Sequence, residues 1–519
     1  MRLEAPEAQR LTVGDCLRKQ AVVRPSAVAL ESGGRRHTFA ELDDRVNRLA
    51  NALARRGISR GERIAILSEN QPAYLELELA AAKLGAIVAC LNWRLSAEEL
   101  AHCIELASPA LLFVSERFAP VLDRVAHRVP RVLRIEAEYE PLLAEAEARE
   151  PEAAVEPEDG LVILYTSGTT GLPKGALVSQ RAMVARAMTF ASEFGITADD
   201  AFLAWSPLYH MAGTDFSLAT LMLGGKVLVR DGLAMDDLCT VLEAERLGWL
   251  VAVPGMIEGL IAGLKAKRPA VRSVKLVGAM ADLVARHQIA ELTALLRAPY
   301  LNSFGSTETG LPPASAGTIP IGEVPASLSK RESSWCQVRL VDAEDRDVPI
   351  GVPGEMLVRG PTLFSGYWNA PETNARDFRG GWFHLGDMFV RNADGTLDFV
   401  DRVKYLIKSG GENIYPAEIE RVLLAHPQVS DAVVVRRRDE RWGEVPVAFA
   451  ARKDPALGEE ELLAACRARL AHYKVPKQIV FVNAADLPRS STGKIQRHEV
   501  EKWLAEREGF EPSIRVLPV

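Results

Sequence analysis

The chain has 519 residues, 48% apolar and 25% charged, with 69 acidic against 62 basic side chains and a net charge of −7. This is too long for one hydrophobic core, so at least two domains are expected, and the acidic balance argues against a nucleic-acid binder. Six cysteines without C-x-x-C spacing suggest neither a zinc site nor a redox dithiol, and they fit a reducing cytoplasm.

The N-terminal MRLEAPEAQRLTVGD is acidic where a secretion signal is apolar. Residues 40–57 carry apolar side chains at helical spacing, with Gly57 as the stop. Arg63–Leu67 and Ala110–Val114 read as buried strands between helices, and this alternation continues to about residue 330. The acidic stretch Glu136–Glu158 predicts an exposed helix and connector with a solvated charged face. The most apolar windows are interrupted by Lys83, or by Asp215 and Lys226, so no membrane span is expected.

From about residue 336 short strands alternate with Gly/Pro turns, predicting a β-rich subdomain. Beyond Phe399 a helix over 416–425, opened by Pro416, is followed by strands at DAVVVRRR and PVAFAAR and a helix at GEEELLAACRARLA. The expected fold is α/β: a large domain (1–400) of layered α/β subdomains plus the β-rich part, then a small α+β domain (401–519).

The strongest local signal is YTSGTTGLPKG at 165–175, directly after the strand-like LVIL. Glycines with Ser and Thr let backbone N–H and side-chain O–H groups approach a phosphate chain, and Lys174 adds a mobile charge. A Walker A loop has Lys directly after its last Gly, followed by Ser/Thr; here Lys174 is three past Gly171 and precedes Gly175.

This segment resembles the signature loop of the acyl-adenylate-forming superfamily, in its acyl-CoA synthetase branch. The similarity runs from about Arg24 to about Val500, through further motifs in the family's order. It implies ATP binding by Thr166, Ser167, Gly168, Thr169, Thr170, Gly171 and Lys174. In NSFGSTETG (302–310), Phe304 would stack near adenine, Gly305 would also contact ATP, Thr307 would bond the α-phosphate, and Glu308 would hold Mg²⁺. In WFHLGD (382–387), Asp387 would accept both ribose hydroxyls; Leu385 stands where the family usually has Thr.

In DRVKYLIKSGGENIYP (401–416), Arg402 would reach the nucleotide, and Lys404 would be the hinge about which a mobile C-terminal domain turns. Coenzyme A would meet Lys408, Gly410, Gly411, Trp442, Tyr473 and Lys477. Arg436–Arg438 could meet its phosphates, a solvated turn being the plainer reading. In PRSSTGK (488–494), Lys494 would be the adenylation lysine. His210, in SPLYHMAG, borders the acyl pocket in the family, and Trp205, Met211, Met256, Gly278, Ala279, Met280 and Ser303 lie in segments that would line it.

The resemblance thus implies a ligase taking a carboxylic acid and ATP to an acyl-adenylate, then to a thioester with coenzyme A. The rival acceptor is a separate acyl carrier protein. A free thiol is expected because no carrier domain follows the last motif. Relatives are frequently homodimers.

Overall fold

The structure, a computed structural model, describes residues 10–166, 172–410, 412–489 and 495–508. By its contacts the chain divides into two units: Met1–Gln337 with Arg359–Trp382, and Val338–Val358 with Phe383–Val519.

In the first unit the helix read at 40–57 spans Phe39–Arg55. Thr38 and Glu41 close a capping box at its start, and Gly57 takes φ +88 just past its end. Strands Arg63–Leu67 and Leu111–Val114 run parallel, within a six-stranded sheet that ends on Gly160–Thr166 and Lys174–Ser179. An eight-stranded sheet has Ala201–Ala204, Arg246–Leu250 and Ser273–Val277 as adjacent parallel strands near its middle. Helix Pro72–Leu84 touches strands of both sheets, and every residue from Ala73 to Leu84 is buried. Helix Met211–Leu223 is buried from Gly213 to Met222.

These two helices are the apolar windows of the sequence, and neither is long enough to span a bilayer. Among the described residues no helix is long and apolar enough to cross a membrane. Lys83, Glu76 and Asp215 are paired with opposite charges, whereas Glu78 meets only neutral donors and burial pushes its carboxyl up to about 8. The Lys83 ammonium donates to Asp43 and Asn47 at 2.6 Å each and to Glu150 at 2.8 Å. Arg45 bonds buried Glu76 at 2.7 Å and Glu140 at 2.6 Å. The acidic stretch read as a solvated face therefore supplies countercharges to the core through Glu140 and Glu150. Its helix, Ile135–Ala144, also buries Tyr139, Leu142 and Leu143.

In the second unit a four-stranded sheet runs Gln337–Val341, Gly354–Arg359, Phe383–Arg391, Leu397–Arg402. The sequence reading put this sheet in the first domain, with the boundary at 400; its contacts group it with the C-terminal residues. Strand Leu397–Arg402 continues into the turn Val403–Tyr405, and the Asp401 carboxylate accepts the Ala417 N–H at 2.7 Å. The remaining strands, Ile407–Ser409, Glu412–Ile414, Val429–Asp439, Gly443–Arg452 and Ile479–Val482, form one sheet that packs on helices Pro416–Leu424 and Glu459–Arg469. Arg436–Arg438 lie in the strand Val429–Asp439 rather than a solvated turn. Arg436 is drawn inward by Glu501 at 3.4 Å, which leaves it poorly placed for an external phosphate.

Candidate functional site

The glycine-rich loop joins two antiparallel strands, with Thr166 paired to Lys174 across its neck. The register therefore fixes where the loop's lysine begins. His102 Nε2 lies 3.1 Å from the Pro173 carbonyl, steadying the exit. The Lys174 ammonium stands 4.7 Å from the centre of the Tyr367 ring. The Tyr367 hydroxyl donates to Glu308 Oε1 at 2.9 Å. The structure thus brings together Lys174 and Glu308, 134 positions apart by their residue numbers, through an aromatic residue that the motifs did not single out. Burial first, and the nearby Glu308 second, push the Tyr367 phenol far above its ordinary range, so it is a neutral donor.

Thr307 and Glu308 sit in the tight turn between strands Gly305–Ser306 and Gly310–Pro313. A Cβ on Gly305 would stand 2.1 Å from the Gly310 carbonyl oxygen, so the close approach requires glycine there. From beneath, Arg186 holds the turn. Its Nη2 donates to the Thr307 carbonyl at 3.0 Å, its Nε to the Thr362 carbonyl at 3.0 Å, and its Nη1 meets Asp215 at 2.9 Å. The Arg186 and Asp215 side chains are 4% and 3% exposed, so this ion pair is desolvated. Burial raises the Asp215 carboxyl, while Arg186 opposes that rise. The Glu308 carbonyl in turn accepts the Phe364 N–H at 2.8 Å. The Phe304 N–H donates to Ser315 Oγ at 2.9 Å.

The segments read as acyl-lining also meet in part. Met280 N–H donates to Ser303 Oγ at 3.2 Å, Tyr300 hydroxyl to the Ala279 carbonyl at 2.8 Å, and Trp249 Nε1 to the Gly278 carbonyl at 2.8 Å. A Cβ on Gly278 would lie 2.2 Å from the Tyr300 ring. Trp205 donates to the Val251 carbonyl at 3.0 Å, and Trp205 and Met256 pack on the same core. His210 occupies the position just before the helix that opens with Met211, without a side-chain capping bond, and its ring lies 4.6 Å from that of Tyr209. Lys330, fully buried, reaches Asp282 at 2.5 Å and Asn302 at 2.9 Å. That contact ties the irregular segment 311–335 to both the 278–282 turn and the 302–310 motif.

In the second unit Asp387 and Arg402 are directly opposed across two antiparallel strands, with Arg402 Nε 3.2 Å from Asp387 Oδ1. Glu355 steadies the strand at Asp387, where its pairing is irregular, by accepting the Gly386 N–H at 3.2 Å. Below the segment holding Lys404, Arg497 contacts Asp401 at 3.4 Å and Glu420 at 2.6 Å, and it stacks 4.4 Å from the Tyr405 ring. Gly410, at φ +59, donates to the Trp442 carbonyl at 2.7 Å, and a Cβ there would stand 2.7 Å from the indole. Lys408, Tyr473 and Lys477 are exposed.

A family model described as AMP-binding enzyme matches residues 17–368, and one described as AMP-binding enzyme C-terminal domain matches 418–494. The chain belongs to the AMP-binding enzyme family. It is 34% identical over 511 residues to the indoleacetate–CoA ligase of Aromatoleum aromaticum, covering 96% of this chain and 99% of that one. It is 35% identical over 497 residues to a feruloyl-CoA synthase of an Amycolatopsis species, covering 93% and 97%. Among solved structures it matches the o-succinylbenzoate CoA synthetase of Bacillus subtilis, in complex with its acyl-adenylate intermediate, at 28% identity and a TM-score of 0.82, covering 94% and 97%. The acyl-adenylate-forming, α/β reading of the sequence is thereby shown.

Seven of the family-motif positions read from the sequence, Ser167, Gly168, Thr169, Thr170, Gly171, Gly411 and Lys494, lie outside the described residues. Tyr367, Arg186, Glu355 and Lys330 are the supporting residues that sequence reasoning missed. Only Tyr367 carried a local signal: an aromatic after Gly366, in a segment that returns to pair with the strand after the loop.

Proposed function

We propose that this enzyme is an AMP-forming ligase that joins an aromatic carboxylic acid to coenzyme A. The observation that carries the reading is the convergence of Lys174 and Glu308 on Tyr367, a lysine and a carboxylate set for a nucleotide's phosphates. The aromatic acid is supported by the relatives, whose names give indoleacetate, a feruloyl group and succinylbenzoate as their acyl groups.

In the first half-reaction a carboxylate oxygen attacks the α-phosphorus of ATP, the bond to the β-phosphate oxygen breaks, and pyrophosphate leaves. Lys174 meets the outer phosphates, Asp387 accepts from the ribose hydroxyls, and Arg402 adds positive charge beside them. Glu308 is the residue that would hold Mg²⁺. Among the described residues no group of three His, Cys, Asp or Glu side chains could hold a metal by itself. A single carboxylate suits a cation that takes its other oxygens from nucleotide and water, and such a cation would supply charge neutralisation at the phosphates. Lys494, on the terminal motif, bridges the acid and the α-phosphate. In the second half-reaction a thiol attacks the acyl carbon, AMP departs, and the thiol proton passes to solvent. Gly410 and Trp442 wall the thiol's approach, and the small domain turns about Lys404 between the two steps. Six unpaired thiols support a cytoplasmic setting.

The test is pyrophosphate release across aryl, arylpropenoic, alicyclic and aliphatic acids, followed by thioester formation with coenzyme A or with an acyl carrier protein. Release with aryl acids and transfer to coenzyme A is expected. Release only with aliphatic acids overturns the substrate class, and transfer only to the carrier overturns the acceptor. Lys494→Ala should abolish adenylation by several orders of magnitude, yet spare thioester formation from synthetic acyl-adenylate. Equal loss in both steps would refute alternation of the small domain.

A further inference from the structure

We infer that Tyr367 is a positioning residue for the nucleotide, bridging the phosphate lysine Lys174 and the carboxylate Glu308 so that the two are set in one geometry; this rests on the ligase reading above. Its hydroxyl bonds Glu308 Oε1 at 2.9 Å while its ring faces the Lys174 ammonium at 4.7 Å. A single side chain therefore contacts both groups by different chemistries, a hydrogen bond to one and a cation–π contact to the other.

The phenol is itself held. Tyr367 N–H donates to Asn374 Oδ1 at 2.7 Å, and Asn374 Nδ2 returns a bond to the Tyr367 carbonyl at 2.8 Å. Phe364 packs edge-on against the ring at 4.9 Å. On either side, Trp368 N–H donates to the Gly175 carbonyl at 2.7 Å and Leu177 N–H to the Gly366 carbonyl at 3.0 Å. The segment is thus stitched to the strand that Lys174 opens, and any shift of that strand carries the phenol with it. The Phe364 N–H bond to the Glu308 carbonyl, at 2.8 Å, links the same segment to the carboxylate's own turn. A side chain that merely filled space here would need neither the hydroxyl nor the paired backbone.

The two contacts separate by substitution. Tyr367→Phe keeps the ring against Lys174 and removes the bond to Glu308. Tyr367→Leu removes both. Binding of the non-cleavable α,β-methylene analogue of ATP to the full-length enzyme, measured by calorimetry with and without Mg²⁺, reads each contact without turnover. For Tyr367→Phe, unchanged affinity without Mg²⁺ is expected, with about a tenfold rise in the Mg²⁺ concentration that half-maximally tightens binding. Tyr367→Leu should weaken binding in both conditions. A wild-type Mg²⁺ midpoint in Tyr367→Phe overturns the inference. So does an equal loss with and without Mg²⁺ in that variant, which marks a general packing role. If the wild-type enzyme releases no pyrophosphate with any acid, the ligase reading falls, while the binding comparison still judges the bridge.

Discussion

The turn bearing Thr307 and Glu308 and the strand pair bearing Asp387 and Arg402 reach accuracy by different means. The first is an irregular backbone held from below by buried side chains: Arg186 on the Thr307 carbonyl, Asp215 on Arg186, Tyr367 on Glu308. The second leans mainly on antiparallel register, which sets Asp387 opposite Arg402, with Glu355 bonding the Gly386 N–H beside it; the Arg402 side chain is 45% exposed. Where backbone pairing places a residue, its neighbours are replaceable. Where side chains place it, the support is as sensitive as the site.

The sharpest way to break this contrast is Arg186→Met, which strands the buried Asp215 carboxylate. Unfolding by denaturant should show a loss of about 3–5 kcal/mol. Burial already holds the Asp215 carboxyl above its ordinary value, and losing Arg186 raises it further. The folded variant then binds a proton that the unfolded chain releases, so its deficit should shrink as pH falls and grow as pH rises. A pH-independent deficit would remove Asp215 from the account. Next in size is Glu308→Gln, which keeps the turn and removes the charge: pyrophosphate release should fall by at least ~10²-fold, on the order of 3 kcal/mol, with an unaltered melting temperature. Wild-type release would discard the assignment.

Asp387→Asn probes the other region. Nucleotide binding should weaken by about tenfold while stability barely moves, since register and not the carboxylate holds the strands. A large fall in melting temperature there would erase the distinction. The smallest effect is expected for Gly410→Ala, about 1 kcal/mol from the left-handed backbone. It should appear as slower thioester formation with unchanged adenylation, because the new methyl presses on Trp442. An equal slowing of both steps would take Gly410 out of the thiol's path.

The same division explains what could be read from the chain. Helix Phe39–Arg55 and strands Arg63–Leu67 and Gly160–Thr166 were legible because their signals are local: spacing, a cap, an apolar run. The nucleotide motifs were legible through order and resemblance. Tyr367–Glu308 and Arg186–Thr307 were not, because they join residues 59 and 121 positions apart, and neither partner's type announces the other. Glu140 and Glu150 misled for the same reason: a charge run looks solvated until the half-buried Arg45 and the buried Lys83 that need it are in place.

Helix Pro72–Leu84 has a consequence for synthesis on the ribosome. Its Glu78 is bonded to Thr214, 136 residues later, at 3.1 Å. At translation rates of about 5–20 residues per second, the helix waits roughly 7–30 s for that partner to be made. Through that interval the face that helix Met211–Leu223 will cover lacks its partner, although helices Val13–Val23 and Phe39–Arg55 are already made. Chaperone capacity and codon-dependent pauses between the two segments should therefore govern the yield of soluble enzyme.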